Sequence, residues 1–149
     1  MLIVRRVTPA DPLFAATAAL FDAYRQHYGA NPAPESAPVW LREQCDADRL
    51  RVFVAEQDGD ARAVGTVAVV PASLTLRTVW LIRDLYVAPD ARRGGLARAL
   101  LAHIADAARA QGAHRLALQS EQDNTAALTL YAEMGFEPVT GLAHLNRLL

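Results

Sequence analysis

The amino-acid sequence predicts an α/β (α+β) protein built on one mixed, mostly antiparallel sheet. A hairpin signal, Asp58-Gly59, joins two apolar segments rich in β-branched residues. Further along, an apolar strand ending at Val87, an amphipathic helix at 96–111 and an apolar strand at 115–119 follow one another. That order is typical of a right-handed parallel crossover. The length of 149 residues suits one domain, which we assign to 1–149.

Apolar periodicity and turn signals predict about six to seven strands and about four helices. A helix-start signal at 8–12 precedes the first helix, and a loop rich in proline and small residues covers 29–38. Gly112 and Gly135 are placed to end the last two helices. The predicted strands are 2–7, 51–56, 63–70, the long strand to Val87, 115–119, 136–139 and 144–148, and the predicted helices are 13–28, 39–46, 96–111 and 124–134.

Composition excludes several classes of function. A hydrophobic content of 52% with 21% charged residues is typical of a folded globular protein. The net charge of −1 gives no basis for nucleic-acid binding, and no apolar run approaches the ~20 residues of a membrane span. The chain has no lysine, which excludes Walker-type loops and pyridoxal chemistry, and its four histidines lack metal-ligand spacing. Cys45 is the sole cysteine, so we expect no internal disulfide and a cytoplasmic location.

The stretch from Leu81 to Leu101 joins a strand to a helix through a polar, glycine-rich bend. Pro89 ends the strand, because it cannot donate to a sheet ladder. Two glycines then allow positive φ and close approach of a ligand, just before a helix N-terminus with free N–H groups. An ordinary strand-to-helix turn shares these features. The nearby arginines favour a cradle for a phosphate-bearing ligand: Arg92, Arg93 and Arg98.

Three motifs occur in the order found in one enzyme family. The spacing Arg92-x-x-Gly95-x-Ala97 resembles the pyrophosphate-binding signature of the GCN5-related N-acetyltransferases (GNAT). Asn124 resembles the asparagine that this family uses to hold the pantetheine arm, although it also suits a plain helix cap. Leu130-Tyr131-x-x-x-Gly135-Phe136 resembles the family's motif beside the coenzyme sulphur, although Tyr131 could also be a core residue. Residues seven apart lie on one helix face, about 10 Å apart, so one extended ligand could contact both.

The resemblance implies acetyl-CoA as cosubstrate, no metal, and direct attack of an amine through a tetrahedral intermediate. Tyr131 would protonate the departing thiolate, and Asp84 would act as the base. Diamine acetyltransferases have Glu-Asp where this chain has Arg83-Asp84, so a structural hydrogen-bonding role for Asp84 stays open. The family's fold also implies a splayed parallel pair of strands at the centre of the sheet. A backbone N–H near Tyr86 or Val87 would meet the oxyanion where the family's strand is splayed or bulged. The predicted coenzyme-binding residues are Leu85, Tyr86, Val87, Arg92, Arg93, Gly94, Gly95, Leu96, Ala97, Arg98, Asn124 and Tyr131.

The family's acceptor binds against the first two helices, where this chain has acids and aromatic residues that suit a cation. We therefore predict a small-molecule primary amine, polyamine-like, ahead of a peptide N-terminus or an antibiotic. A non-catalytic acyl-CoA-binding module and a binder of another nucleotide are the alternatives. The apolar closing segment at 142–149 predicts a homodimer. The residues named for the acceptor are Asp22, Tyr24, Tyr28, Glu35, Trp40, Glu43 and Asp46.

Overall fold

A five-stranded sheet organises the residues from Met1 to Gln119. The computed structural model describes all 149 residues. The strands lie in the sheet in their chain order, and neighbours are antiparallel except the last two, which pair in parallel. Their bounds are β1 (Leu2–Val7), β2 (Arg51–Gln57), β3 (Asp60–Ala72), β4 (Arg77–Val87) and β5 (Arg115–Leu118).

Helices cover both faces of this sheet. One face packs against α1 (Phe14–His27) and α2 (Ser36–Asp46), and the other packs against α3 (Leu96–Ala110). Gly65 of β3 lets α3 approach closely, because a Cβ there would lie 3.2 Å from the Ile104 side chain. The α1 face buries Val7, Phe14, Ala18, Phe21, Leu41, Leu50, Val52, Val54, Val64 and Tyr86, and α3 buries Leu96, Leu100, Leu101, Ile104 and Ala108.

Residues Ser120–Leu149 form a second unit with one helix, α4 (Thr125–Glu133). Asn124 is its N-cap, and the Asn124 side chain accepts a hydrogen bond from the N–H of Ala127 at 3.3 Å. At its C-terminal end Gly135 has φ +91°, a left-handed conformation that costs little without a side chain. The sequence therefore located both ends of this helix.

The predicted α/β fold class is confirmed, with fewer strands than expected. Neither 136–139 nor 144–148 forms a strand, so the sheet has five strands and its parallel pair lies at one edge. Short apolar runs are not enough for a strand, because a strand also needs a paired ladder. Pro138, within the first of these segments, lacks an N–H donor, and Gly141, between the two segments, has φ +81°. The second helix begins at Ser36 instead of 39, because Pro38 is tolerated within a first helical turn.

None of the helices combines the length and the apolar character needed to cross a membrane.

Candidate active site

The bend between β4 and α3 presents free backbone donors to one point. Gly95 is the N-cap of α3 with φ +78°, and the first helical hydrogen bond runs from the N–H of Ala99 to the Gly95 carbonyl oxygen at 3.0 Å. The preceding N–H groups of Leu96 and Ala97 therefore have no acceptor within the helix. No acidic residue lies in this first turn and no side chain caps it. Together with the helix dipole, these donors form an anion site.

The two arginines of the bend have different positions. Arg92 donates from Nε to the carbonyl oxygen of Val87 at 3.2 Å, and its guanidinium lies over the Tyr86 ring, 5.5 Å from the centroid. Arg93 has φ +67°, so it shares the left-handed conformation of Gly95 two residues later. Left-handed residues in such a bend turn successive N–H groups to one side, which suits a bound anion. Both arginines are exposed, so they can add positive charge there.

A β-bulge interrupts β4 before the bend. Asp84 of β4 pairs with Thr66 of β3, while the next β3 residue, Val67, pairs with Ile82. Arg83 is therefore an extra residue opposite no partner. The expected irregularity near Tyr86 or Val87 is thus located at Arg83, earlier in the strand. β5 pairs with β4 only as far as Ile82, because Leu118, the partner of Ile82, is the last residue of β5.

The bulge reverses the direction of the side chains that follow it. Before it, Trp80 contacts Phe53, with ring centroids 6.3 Å apart, and Phe53 contacts His103 of α3. After it, Tyr86 contacts Tyr24 of α1, with ring centroids 6.2 Å apart. In a regular strand residues six apart share a face, so Trp80 and Tyr86 would both point to α3. The extra residue instead directs the later side chains of β4 to the α1 face.

Backbone alternation identifies the donors at the open edge of β4. The N–H of Ala88 donates to the carbonyl oxygen of Arg62 at 2.8 Å, which is the β3 side. Because strand donors alternate between the two edges, the N–H groups of Val87 and Leu85 point to the opposite side. No β5 residue pairs with β4 beyond Ile82, so these donors lie where the ladder has ended. The geometry favours Val87 over its neighbour Tyr86 as the oxyanion donor.

Two hydroxyl groups face the carboxylate of Asp84 on the α1 face. Thr66, which is fully buried, donates a hydrogen bond from its Oγ1 to Oδ2 of Asp84. The phenol of Tyr24 lies beside the same carboxylate, and burial together with the Asp84 charge raises the pKa of Tyr24. Tyr24 therefore stays a neutral donor at physiological pH. Asp84 itself is half-buried.

Aromatic rings surround this carboxylate on α1. The Tyr24 ring stacks on Phe21 with centroids 6.2 Å apart and contacts Tyr28 at 5.1 Å. His27 lies 6.0 Å from Tyr86, and Phe21 stacks on the half-exposed Trp40 at 5.8 Å. Of the aromatic residues predicted for the acceptor, Tyr24 lies beside Asp84, Tyr28 contacts Tyr24, and Trp40 of α2 contacts Phe21.

Asp22 has a structural role that the sequence did not indicate. Its side chain is buried, and its carboxylate accepts hydrogen bonds from the N–H of Ala33 at 3.0 Å and from Arg25 at 2.6 Å. Burial would raise the pKa of Asp22, but these hydrogen bonds outweigh it and hold the pKa below its usual value. Asp22 therefore ties the loop after α1 to the helix and is withdrawn from the acceptor residues.

In the second unit, Asn124 and Tyr131 lie seven residues apart on α4, as expected from the motif. Asn124 is the N-cap, so its helix-cap role is confirmed, with its Oδ1 occupied by Ala127. The Tyr131 ring contacts Phe136 edge-on with centroids 5.9 Å apart, and the N–H of Phe136 donates to the Tyr131 carbonyl oxygen at 2.9 Å. This pairing around Gly135 explains why the motif joins a tyrosine to Gly-Phe.

Comparison with known proteins agrees with these motifs. A family model described as the Acetyltransferase (GNAT) family matches residues 17–136. The chain is 32% identical over 143 residues to the uncharacterised N-acetyltransferase YhfO of Bacillus subtilis (strain 168), covering 95% of this chain and 93% of that protein. The chain belongs to the GNAT acetyltransferase family.

Two further similarities concern a second relative and the fold. The chain is 32% identical over 118 residues to the ribosomal protein bS18-alanine N-acetyltransferase of Escherichia coli (strain K12), covering 79% of this chain and 74% of that enzyme. A solved structure described as a probable acetyltransferase superposes with a TM-score of 0.91 at 27% identity, covering 99% of this chain and 97% of that one. This GNAT protein is an acetyl-CoA-dependent N-acetyltransferase.

The residues of the acetyltransferase's β4–α3 bend fit the pyrophosphate of acetyl-CoA. The first turn of α3 offers free N–H groups without a competing acid, and a Cβ at Gly95 would have no heavy atom within 4 Å. Leu96 is buried in the core, so only its backbone can contribute to binding. No group of three or more His, Cys, Asp or Glu side chains is arranged to hold a metal ion.

Sequence reasoning missed Thr66 and the role of Tyr24 toward Asp84. Thr66 lies 18 residues before Asp84, and it reads as one more β-branched residue of an apolar strand. The alternation of polar and apolar residues in β4 could have suggested the bulge, since Arg83 and Asp84 are adjacent polar residues within a strand.

Proposed function

We propose that this acetyltransferase acetylates the primary amine of a small cationic molecule. The observation that supports this is the half-buried Asp84 carboxylate beside the rings of Tyr24 and Tyr86. A carboxylate and aromatic faces are the groups that bind an ammonium ion. The guanidinium of Arg92 over the Tyr86 ring is an example of a cation on this surface.

The chain's own groups hold the cosubstrate in this proposal. The backbone donors of Leu96 and Ala97 bind the pyrophosphate, with Arg92, Arg93 and Arg98 adding charge around it. The Asn124 side chain, which caps α4 through its oxygen, is assigned to the pantetheine arm through its amide. Bound acetyl-CoA supplies an activated thioester carbonyl for the amine.

Proton handling falls to two side chains. A lysine-like amine has a pKa near 10.4, so about one molecule in 10³ is neutral at pH 7, a deficit of roughly 4 kcal/mol. Asp84 accepts the excess ammonium proton, and the freed lone pair attacks the thioester carbonyl carbon, which forms the new N–C bond and a tetrahedral intermediate whose collapse breaks the C–S bond. The N–H of Val87 donates to the carbonyl oxygen as negative charge develops on it. The Tyr131 hydroxyl gives its proton to the leaving thiolate, the remaining extra proton on the acetylated nitrogen passes to solvent, and Tyr131 is reprotonated from solvent.

A protein N-terminus is the second candidate acceptor, favoured by the similarity to the bS18-alanine acetyltransferase. An α-amino group has a pKa of about 7.7–8.0, so a much larger fraction is already neutral at pH 7. Such an acceptor would depend less on Asp84. The two candidates therefore differ in how strongly Asp84→Asn lowers the rate.

An acceptor panel tests the proposal. Release of coenzyme thiol is measured with spermidine, with neamine as an amino sugar, and with a short peptide beginning in alanine. We expect kcat/KM for spermidine or neamine to exceed that for the peptide by at least ~10-fold. Asp84→Asn should remove most of the kcat/KM for the preferred small amine. A preference for the peptide, or thiol release with no member of the panel, would contradict the small-molecule proposal.

Homodimerisation is proposed separately. Leu142, Leu145, Leu148 and Leu149 are each at least 80% exposed, and a second copy would cover them. Because this segment is not a strand, the predicted edge-to-edge pairing is no longer its basis. A monomer mass by light scattering at micromolar concentration would rule out the dimer.

A further inference from the structure

We propose that Tyr24 and Thr66 are positioning residues that orient the Asp84 carboxylate for proton removal. This inference rests on the proposed function, in which Asp84 is the base. Neither residue belongs to the motifs that mark the family in this chain. Both reach Asp84 only through the tertiary fold, one from β3 and the other from α1.

Thr66 fixes the carboxylate from within the sheet. It pairs with Asp84 directly after the bulge, and its side chain is 0% exposed. An ionised carboxylate can only accept, so the Thr66 hydroxyl must be the donor. A β-branched side chain has few accessible rotamers, so this donor stays in place. The Oδ2 oxygen of the carboxylate is thereby held by Thr66.

Tyr24 approaches from the helical layer. Its ring is held between Phe21, Tyr28 and Tyr86 at centroid distances of 6.2, 5.1 and 6.2 Å. This packing gives the phenol little freedom to leave Asp84. A second donor from a different layer fixes the direction of the carboxylate, which a single hydrogen bond would leave free to rotate.

Hydrogen bonds to a carboxylate favour its charged form. Removing one donor should therefore move the acidic limb of the kcat/KM profile to higher pH. The other titratable or charged groups around this pair are Arg83 and Tyr86 on β4 and His27 and Tyr28 on α1. Because imidazoles commonly titrate near neutrality, His27→Gln is included to identify any contribution of His27 to the limb.

The test uses Tyr24→Phe and Thr66→Val, each of which removes one hydroxyl and keeps the packing volume. The kcat/KM of the full chain is measured from pH 5 to 10 with the best amine of the panel. We expect a fall of about 10-fold at pH 7 in each variant, with the acidic limb displaced upward. Thr66→Ser, which retains the donor hydroxyl, should keep most of the parental kcat/KM. Thr17→Val, a fully buried threonine that bonds to the Leu13 carbonyl oxygen, should behave like the parent.

A double variant shows whether the effect passes through Asp84. If Tyr24 acts on the carboxylate, Tyr24→Phe should cost little more once Asp84 is already Asn. Additive losses of kcat/KM in the double variant would overturn the positioning roles and leave Asp84 as the base. The same conclusion would follow if Tyr24→Phe and Thr66→Val kept the parental kcat/KM and the parental acidic limb of the pH profile. If the acidic limb of the kcat/KM profile disappears in His27→Gln, the positioning roles of Tyr24 and Thr66 are overturned as well. Full activity of Asp84→Asn alone would instead overturn the proposed function. If Thr66→Val fails to fold, Tyr24→Phe and the double variant of Tyr24→Phe with Asp84→Asn still test the proposal.

Discussion

Replacing Gly95 by valine should weaken CoA binding more than replacing Arg92 by alanine does. Gly95 has φ +78°, where an L-residue costs about 1–2 kcal/mol and a β-branched residue more. A side chain there would have no heavy atom within 4 Å, so the cost is backbone strain and not a clash. The strained bend can relax by turning its N–H groups away from the anion site.

The two magnitudes follow from these environments. If binding must restore the left-handed conformation, 1–2 kcal/mol corresponds to a rise in Kd of about 5- to 30-fold. Arg92 is exposed and its charge is screened, so its loss should cost about 0.2–1 kcal/mol, at most roughly fivefold in Kd. Main-chain donors should therefore outweigh the arginine.

Calorimetric titration of each variant with CoA measures both effects. Gly112→Val is the matched control, because Gly112 follows the far end of α3 with φ +74° and a Cβ there would also have no heavy atom within 4 Å. Its Kd should stay near the parent's, and thermal unfolding checks that every variant is folded. If Arg92→Ala raises the Kd for CoA as much as Gly95→Val does, or more, the proposal that main-chain donors dominate phosphate binding is refuted.

Two other changes test the acid and the structural carboxylate. Tyr131→Phe should lower kcat by about 10- to 10³-fold with little change in the KM for acetyl-CoA, since the lost interaction strengthens only as thiolate charge develops. A parental steady-state rate would mean that Tyr131 is not the acid. Asp22→Asn should lower the free energy of unfolding at pH 7 by about 1–3 kcal/mol. Because the folded pKa of Asp22 is lowered, this stabilisation is present above its unfolded value near 3.9 and is lost as pH falls through the folded value. Urea unfolding should therefore show the difference from the parent shrinking toward pH 3, and a constant difference would contradict it.

The local elements and the family motifs were accessible from the sequence, because short-range chemistry determines them. The Asp58-Gly59 turn requires positive φ at both residues, and the structure has +51° and +90° there. Gly112 and Gly135 end helices for the same steric reason, with φ +74° and +91°. The N-cap at Asn124 follows from a side chain that reaches its own helix.

Tertiary structure alone decided which groups meet at Asp84. The extra residue at Arg83 arises from the pairing of β3 with β4, and it turns Asp84 and Tyr86 to the α1 face. Tyr24 lies 60 positions before Asp84 in the chain, so no local pattern could bring their side chains together. Asp22 resembles a solvated helix acid in the sequence, yet it is buried because the loop after α1 folds back onto it. The closing segment failed as a strand for a related reason. Apolar residues favour burial, but a strand forms only where another backbone supplies its hydrogen bonds.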